Sequence, residues 1–319
     1  MEACEIMNLA KINNKIKDHM LIGSVYDNII KKVKYNDKPL DFLYNVMVGQ
    51  KHRMLYYKML KKKYLNQCTE FCEWETKEKK KNSNTIWICW LQGMNGAPIL
   101  VKRCYESVKS QFPDKDIILL DETNFVQYVK MPDYIIDKWK SGIIAPAHFT
   151  DLLRLALLIE RGGCWIDATV LCTDGNLLKN VENEQLFMFS FYFFGFNPEI
   201  MQLNNWFIYS YTNNNILSLI QKMLYTYWKE NDRALDYFIF QIFTTIALEY
   251  YEEDYKKMPV VSQADSHILA TYIFDEYNET KYKILKSGCG FHKLSTRFDD
   301  RQKLKKNTFY DVIIQQGKY

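Results

Sequence analysis

Polar and apolar positions change their pattern near residue 82. Residues 1–82 are polar with helical character, and they contain no glycine-rich nucleotide-binding loop. Residues 77–81 are charged (KEKKK) and are followed by Asn82-Ser83-Asn84, a composition typical of a boundary between domains. The pattern predicts a helical N-terminal region over residues 1–82 and a main domain over residues 83–319.

From residue 85 onwards, short apolar runs alternate with segments of helical periodicity. Strands are predicted at residues 85–91, 116–120, 164–166 and 186–194. Helices are predicted at residues 99–111, 133–140, 215–230, 235–251 and 263–276. Residues 289–298 are predicted to form a loop. Alternating strands and helices build a sheet that is covered on both faces, so the predicted fold class is α/β with a mixed, mainly parallel sheet.

The most informative stretch runs from residue 148 to residue 169. Apolar residues recur there at roughly helical spacing up to residue 159. Gly162 and Gly163 can adopt the positive φ that ends a helix and begins a sharp turn. The apolar run at residues 164–166 is typical of a core strand. Asp167 would then lie at the carboxyl end of a strand, where open α/β sheets bind ligands.

Asp151 and Arg154 are three residues apart, so they share one face of the predicted helix. The guanidinium of Arg154 has the fork geometry that suits phosphate, and a departing diphosphate needs fixed positive charge of this kind. Asp151 and Asp167 can accept hydrogen bonds from sugar hydroxyls. The alternative is an ordinary surface ion pair between Asp151 and Arg154, which would contribute little.

Other candidate binding residues lie near the predicted strand ends. Trp87, Trp90 and Gln92 suit stacking on a nucleotide base and hydrogen bonding to it, although both tryptophans could instead belong to the core. Asn124, after the second predicted strand, is a further candidate for substrate binding. His148 either lines the same site or has a structural role.

Composition excludes several classes of protein. A net charge of +4 over 319 residues is small, so we expect no nucleic-acid partner. Hydrophobic residues make up 48% and charged residues 25% of the chain, which is typical of soluble globular proteins. The apolar stretches are too short to cross a bilayer, and the acidic N-terminus does not resemble a secretory signal. The eight scattered cysteines suit a reducing compartment, and we expect a cytoplasmic location.

Residues 58–65 mix basic and apolar side chains. This mixture is typical of a solvated helix face, which is the favoured interpretation. The alternative is a peripheral contact with the inner membrane surface, since anionic lipid attracts clusters of lysine and arginine.

Motifs from residue 85 to the C-terminus form an ordered set. They are Ile86-Trp87, Trp90-Leu91-Gln92-Gly93, Ala97-Pro98, the stretch from His148 to Arg154, the stretch from Gly162 to Thr169, Asp236-Tyr237-Phe238, His292-Lys293-Leu294 and Asn307-Thr308-Phe309-Tyr310. The set resembles the capsular polysaccharide synthesis protein family, which is related to the family-32 glycosyltransferases and to the sugar-transfer domains of large clostridial toxins.

The resemblance implies a GT-A fold, which is a nucleotide-sandwich α/β domain. It also implies transfer of a sugar from a nucleotide-diphosphate sugar to a glycan or lipid-linked saccharide acceptor, with retention of the anomeric configuration. In related enzymes the positions of Asp151 and Arg154 hold the donor sugar and phosphates, and the position of Asp167 begins an Asp-x-Asp metal motif. By this resemblance the expected catalytic residues are Asp167, Arg154 and Asp236.

Thr169 stands where that motif has its second acid. A manganese or magnesium ion on a diphosphate prefers anionic oxygens, and a neutral hydroxyl is a poorer ligand. Asp167 can still bind the divalent cation, directly or through water, and His292, from the C-terminal loop, is expected to supply another ligand. The substitution also leaves room for a second interpretation, a catalytically inactive partner that binds nucleotide sugars or glycans within a polysaccharide assembly complex.

Overall fold

The computed structural model describes residues 38–69, 81–191, 200 and 202–319, with side chains from residue 49 onwards. The chain divides into two compact units, Met1–Met59 and Leu60–Tyr319. Helix α1 spans Lys38–Leu60 and is followed by a π-helical turn, Lys61–Leu65, and helix α2, Asn66–Thr69. The predicted helical character is therefore observed over residues 38–69. The rest of residues 1–80 lies outside the description, and the domain boundary at residue 82 stays a prediction.

The remaining helices belong to the second unit. They are α3 (Ile99–Gln111), α4 (Asp133–Lys140), α5 (Pro146–Arg161), α6 (Asn176–Val181), α7 (Asn215–Glu230), α8 (Ile239–Tyr250), α9 (Glu252–Lys256), α10 (Ala264–Tyr272), α11 (Glu279–Gly288) and α12 (Asp300–Lys303), with a 3₁₀ turn at Phe125–Gln127 and a π-helical segment at Tyr310–Gln315. Helices α3, α4 and α7 have the predicted bounds. Helices α8 and α10 are shorter than predicted, and α11 was not predicted.

The described strands form two sheets. They are β1 (Thr85–Cys89), β2 (Asp116–Leu120), β3 (Gly163–Ile166), β4 (Val170–Cys172), β5 (Leu186–Ser190), β6 (Leu203–Ser210) and β7 (Phe291–Lys293). The larger sheet has the order β2-β1-β3-β6-β5. Strand β1 pairs in parallel with β2 and β3, whereas β6 pairs antiparallel with both β3 and β5. Only β6 therefore opposes the other strands of this sheet, and the mixed, mainly parallel α/β fold is confirmed.

The smaller sheet consists of β4 and β7, which pair antiparallel with Val170 opposite Lys293. The predicted loop at residues 289–298 is therefore wrong at residues 291–293. A strand of three residues is too short to show alternation, and its partner lies far away along the chain. The backbones approach closely here, because a Cβ at Gly290 would lie 2.2 Å from the carbonyl oxygen of Asp174. This pairing brings Lys293, from the C-terminal part of the chain, to Asp167 at the end of β3.

Helix α5 is buried on nearly all sides. It begins at Pro146, whose fixed φ suits the first helical position, and ends at Arg161, before Gly162, which has a φ of 67°. Its leucines are fully buried, and Asp151 and Arg154 are only 8% and 4% exposed. The helix packs on α7 and on strands β3 and β6. The interpretation of Asp151 and Arg154 as a surface ion pair is therefore wrong.

The basic residues of the π-helical turn pack within the second unit. Lys61 pairs with Glu249 of α8, and Lys63 pairs with Glu230 of α7 at 2.7 Å. Both lysine side chains stay partly exposed, as expected of a solvated helix face. No helix among the described residues is both long and apolar enough to cross a membrane.

Candidate active site

A cleft of about 260 Å³ opens at the carboxyl ends of β1 and β3, where ligand sites of open α/β sheets are expected. Its walls come from the two strand ends, the first half of α5, strand β6, and α8 with the residues before it. The lining residues are Cys89, Trp90, Leu91, Gln92, Pro146, Ala147, Thr150, Asp151, Arg154, Trp165, Asp167, Ala168, Thr169, Asn205, Tyr237 and Gln241.

Arg154 joins the helix to the strand end in the wall of this cleft. Its Nη2 lies 3.2 Å from Oδ1 of Asp151 and 3.4 Å from Oδ1 of Asp167. Nε donates to the carbonyl oxygen of Thr150 at 3.2 Å, and Nη1 donates to the carbonyl oxygen of Asn205. Only 5% of the side chain is exposed. The two acids and the cation predicted from the spacing are therefore brought together, and the guanidinium is directed at protein acceptors.

Asp151 is supported by two amide side chains that the sequence did not single out. Asn205 of β6 donates from Nδ2 to Oδ1 of Asp151 at 2.8 Å. Gln241 of α8 donates in turn from Nε2 to Oδ1 of Asn205 at 3.2 Å. Gln241 is the one amide in the apolar run at residues 237–248, and that isolation was the available signal. Both amides line the cleft, so they extend the polar surface beside Asp151.

Both carboxylate oxygens of Asp167 accept hydrogen bonds. Oδ1 accepts a hydrogen bond from Nε1 of Trp165 at 2.9 Å, and the same indole ring lies under the guanidinium of Arg154 at 4.8 Å. Oδ2 accepts a hydrogen bond from Nζ of Lys293 at 2.6 Å. The ammonium of Lys293 also donates to Oγ1 of Thr169 at 2.9 Å. Lys293 belongs to one of the sequence motifs, but nothing in the sequence predicts a role for it.

The charges around Asp167 determine its protonation. Burial by itself raises the pKa of this carboxyl group and is the largest single effect, whereas the charges of Lys293 and Arg154 lower it. Hydrogen bonds from Lys293 and Trp165 act in the same direction, so the pKa is lowered overall. Asp167 is therefore an ionised carboxylate and a poor base.

Most of the chain matches the model of a known protein family. The model of the family described as "Capsular polysaccharide synthesis protein" matches residues 38–313. The chain belongs to this family. Comparison with curated protein sequences gives no match. A solved structure described as "PaToxG Glycosyltransferase" matches with 12% sequence identity and a TM-score of 0.36, covering 85% of this chain and 96% of that one.

In this member of the family, the candidate residues at the end of β1 have different environments. Trp90 and Gln92 line the cleft as predicted. Trp87 is only 2% exposed, donates from Nε1 to the carbonyl oxygen of Gly162 at 2.9 Å, and contacts Tyr128 edge to face. Trp87 is therefore a core residue, and its predicted contact with substrate is corrected.

Three further candidates lie outside the lining of the cleft. Asn124 bonds through its side chain to the backbone of Asp121 and Leu119, which closes the loop after β2. Asp236 accepts a hydrogen bond from the backbone of Phe238 at 2.8 Å before α8. His148 is buried, and its Nδ1 lies 3.8 Å from Oδ2 of Asp151. Asn124 and Asp236 thus form hydrogen bonds with backbone atoms. His148 lies next to Asp151 but does not line the cleft.

His292 does not join Asp167 as a metal ligand. Neighbouring residues of a strand point to opposite faces, and His292 is fully buried with Nε2 3.1 Å from Oγ1 of Thr173. The predicted ligand pair of Asp167 and His292 is therefore corrected. Within the described part of the chain, no three His, Cys, Asp or Glu side chains are grouped so that they could hold a metal ion. The donor set around Asp167 does not fit a divalent cation.

Proposed function

We propose that this family member is a glycosyltransferase whose cleft binds a nucleotide-diphosphate sugar. The observation that carries the proposal is the Asp151–Arg154–Asp167 arrangement at the carboxyl edge of the sheet, in a chain of a capsular polysaccharide synthesis family. Two carboxyl side chains and a buried guanidinium in one cleft suit a sugar beside a phosphate group. The acceptor in this proposal is a hydroxyl group of a glycan or a lipid-linked saccharide.

The lining residues divide into two groups by chemistry. Trp90 and Gln92, at the end of β1, offer an aromatic ring and an amide, which suit a nucleotide base. Asp151 offers carboxylate oxygens at the other wall, with Asn205 bonded to it. Carboxylates and amides are the usual partners of sugar hydroxyls, so this wall is assigned to the donor sugar.

In the proposed reaction, the bond between the anomeric carbon and the diphosphate oxygen breaks, and its electron pair stays on the diphosphate. The acceptor oxygen forms the new bond to the anomeric carbon and loses its proton. Asp167 is a poor base because its pKa is lowered. The departing diphosphate oxygen is therefore assigned as the proton acceptor, which agrees with reaction on one face of the sugar and retention.

The first experiment is calorimetric titration with a panel of nucleotide-diphosphate sugars, followed by an assay of donor hydrolysis and transfer. At least one donor should bind, and Asp151→Asn should weaken its binding by about tenfold or more, because a charged acceptor is lost. The matched control is Asp254→Asn, which alters a partly exposed acid of α9 outside the cleft, and this variant should bind like the parent. Absence of binding by every donor would refute the function. Equal binding by Asp151→Asn would refute the site.

A second candidate function is a binding partner without catalysis. It is favoured by Thr169, which puts a neutral hydroxyl where related enzymes have an acid, and by the lysine that bonds to it. This alternative predicts that a nucleotide sugar binds and that no glycosyl group is transferred with any metal added. Measured transfer to a saccharide acceptor would exclude it.

A further inference from the structure

A lysine ammonium lies between the two positions at which related enzymes bind a metal. Nζ of Lys293 is 2.6 Å from Oδ2 of Asp167 and 2.9 Å from Oγ1 of Thr169. Both of these partners line the cleft. The replacement of the second acid by Thr169 therefore coincides with a positive charge supplied by the chain itself.

The fold holds this lysine in place from a distant part of the sequence. Strand β7 pairs with β4 so that Lys293 lies opposite Val170. The backbone of Leu294 donates to the carbonyl oxygen of Thr169 at 2.9 Å, which continues the pairing into the turn after β3. The preceding residue, His292, points into the core. Because successive side chains of a strand point to opposite faces, the side chain of Lys293 is directed the other way, toward Asp167.

A divalent cation would meet positive charge at this position. Each carboxylate oxygen of Asp167 lies beside a cationic side chain, Oδ1 beside Arg154 and Oδ2 beside Lys293. The oxygen of Thr169 is neutral and already accepts a hydrogen bond. Manganese and magnesium ions prefer several anionic oxygens as ligands. The one carboxylate at this position, that of Asp167, is already paired with two cations.

The two cations differ in what they can still bind. Arg154 directs its nitrogens at four protein acceptors and is 5% exposed. Lys293 uses two of its three N–H donors, and 22% of its side chain is exposed. A third donor on a partly exposed ammonium can bond to a phosphate oxygen at the edge of the cleft.

We propose that Lys293 replaces the divalent cation and contacts the diphosphate of the donor, so that nucleotide binding and glycosyl transfer do not depend on metal. The inference rests on the proposed function of the cleft. When the bond between the anomeric carbon and the diphosphate oxygen breaks, the electron pair stays on that oxygen, and the ammonium stabilises the charge without giving up its proton.

The test is titration of the full chain with nucleoside diphosphates, once with a chelator and once with added manganese. Affinity should be the same in both conditions. Lys293→Met should weaken binding by about tenfold to a hundredfold, the scale of a charge-assisted hydrogen bond. Lys293→Arg should retain most of the affinity because it keeps the charge. The control is Lys283→Met, which alters an exposed lysine of α11.

A second measurement does not depend on the stability of one variant. Bound manganese is counted by electron paramagnetic resonance, with nucleoside diphosphate present, in the parent chain and in a Thr169→Asp, Lys293→Ala double variant. The parent should bind no manganese beyond that held by the free nucleotide. The double variant restores two acids and removes the lysine, so it should bind manganese at the site.

The outcomes separate the two proposals. Binding that survives the chelator and falls in Lys293→Met supports both. Binding by the parent that is lost with the chelator overturns the role of Lys293 and leaves the proposed function standing. Equal binding by Lys293→Met and the parent also overturns this role. If no nucleoside diphosphate binds in either condition, the proposed function is wrong and the inference falls with it.

Discussion

Asp167 lies between two cations, Arg154 and Lys293, and their other bonds assign them different roles. The guanidinium bridges Asp151 and Asp167 and also bonds to backbone carbonyls from α5 and β6. A fork of fixed donors on a buried side chain sets the geometry of its acceptors. Arg154 therefore holds the two acids in place, and its contact with the phosphates of a donor stays a prediction.

His292 is a buried titratable group outside this arrangement. Burial lowers its pKa to about 4, and the charge of Lys286 acts in the same direction. In the unfolded chain its pKa returns to about 6.5. We therefore predict that its contribution to the free energy of unfolding is complete above pH about 6.5. The contribution is lost progressively as the pH falls to about 4, by up to about 3 kcal/mol in total.

The measurement for His292 is urea unfolding at a series of pH values in the parent and in His292→Gln. The direction follows from protonation, since between these two pKa values the unfolded state binds a proton that the folded state does not. His292→Gln should flatten the pH dependence in this window. His267, whose pKa is also lowered by burial, contributes to both proteins and cancels in the difference. Parallel curves for the two proteins would contradict the assignment.

The candidate site was predictable where its residues are near one another in the chain. Asp151 and Arg154 share a face because of helical spacing, and Asp167 follows the strand after the same helix. Lys293 lies 126 residues from Asp167, and Asn205 lies 54 residues from Asp151. These contacts depend on strand pairings that no local pattern reports. Without that pairing, ligand chemistry alone predicts a histidine, a common metal ligand, rather than its lysine neighbour as the partner of Asp167.

At the scale of the elements, the turn into β3 contains two glycines with positive φ, Gly162 and Gly163, and Gly163 has the closer neighbour. Gly163 has a φ of 95°, and a Cβ there would lie 2.3 Å from the carbonyl oxygen of Thr85. We predict that Gly163→Ala lowers the free energy of unfolding by at least about 3 kcal/mol, because backbone strain adds to a clash with the neighbouring strand β1. Chemical denaturation measures the change.

The matched control for this turn is Gly142→Ala. Gly142 also has a positive φ, 79°, but nothing lies within 4 Å of the modified position. Only the backbone strain remains there, so the expected loss is about 1 kcal/mol. Similar losses at both glycines would show that the approach of β1 to β3 is not the cause.

Elements with strong local signals were predicted well. Helix α3 has a periodic apolar pattern and strand β2 a continuous apolar run, and both have the predicted bounds because turn residues lie on either side of each. Strand β6 was missed although it is central in the sheet. It contains Asn204 and Asn205, which interrupt the apolar pattern, and its direction opposes the other strands. Asn205, which interrupts the strand pattern, lines the cleft and donates a hydrogen bond to Asp151.

At the scale of the whole molecule, residues 61–69, which follow α1, are packed more firmly than their polar composition suggests. Tyr64 of the π-helical turn is 1% exposed and lies edge to face with Tyr227 of α7 and Phe243 of α8. Its hydroxyl donates to Glu230 at 3.1 Å and accepts from Asn231 at 3.1 Å. Residues 60–69 are therefore part of the second compact unit.

This packing predicts how the chain responds to shortening. A chain that begins at residue 60 should be more stable than one that begins at residue 83, because the shorter one exposes the surfaces of α7 and α8 that Tyr64 covers. Tyr64→Ala in the full chain should lower the free energy of unfolding by about 3 kcal/mol, the usual cost of removing a buried aromatic ring. The control is Lys62→Ala, an exposed neighbour in the same turn, with an expected change within about 0.5 kcal/mol. If both shortened chains unfold at the same denaturant concentration, the boundary predicted at residue 82 describes the main domain better than one at residue 59.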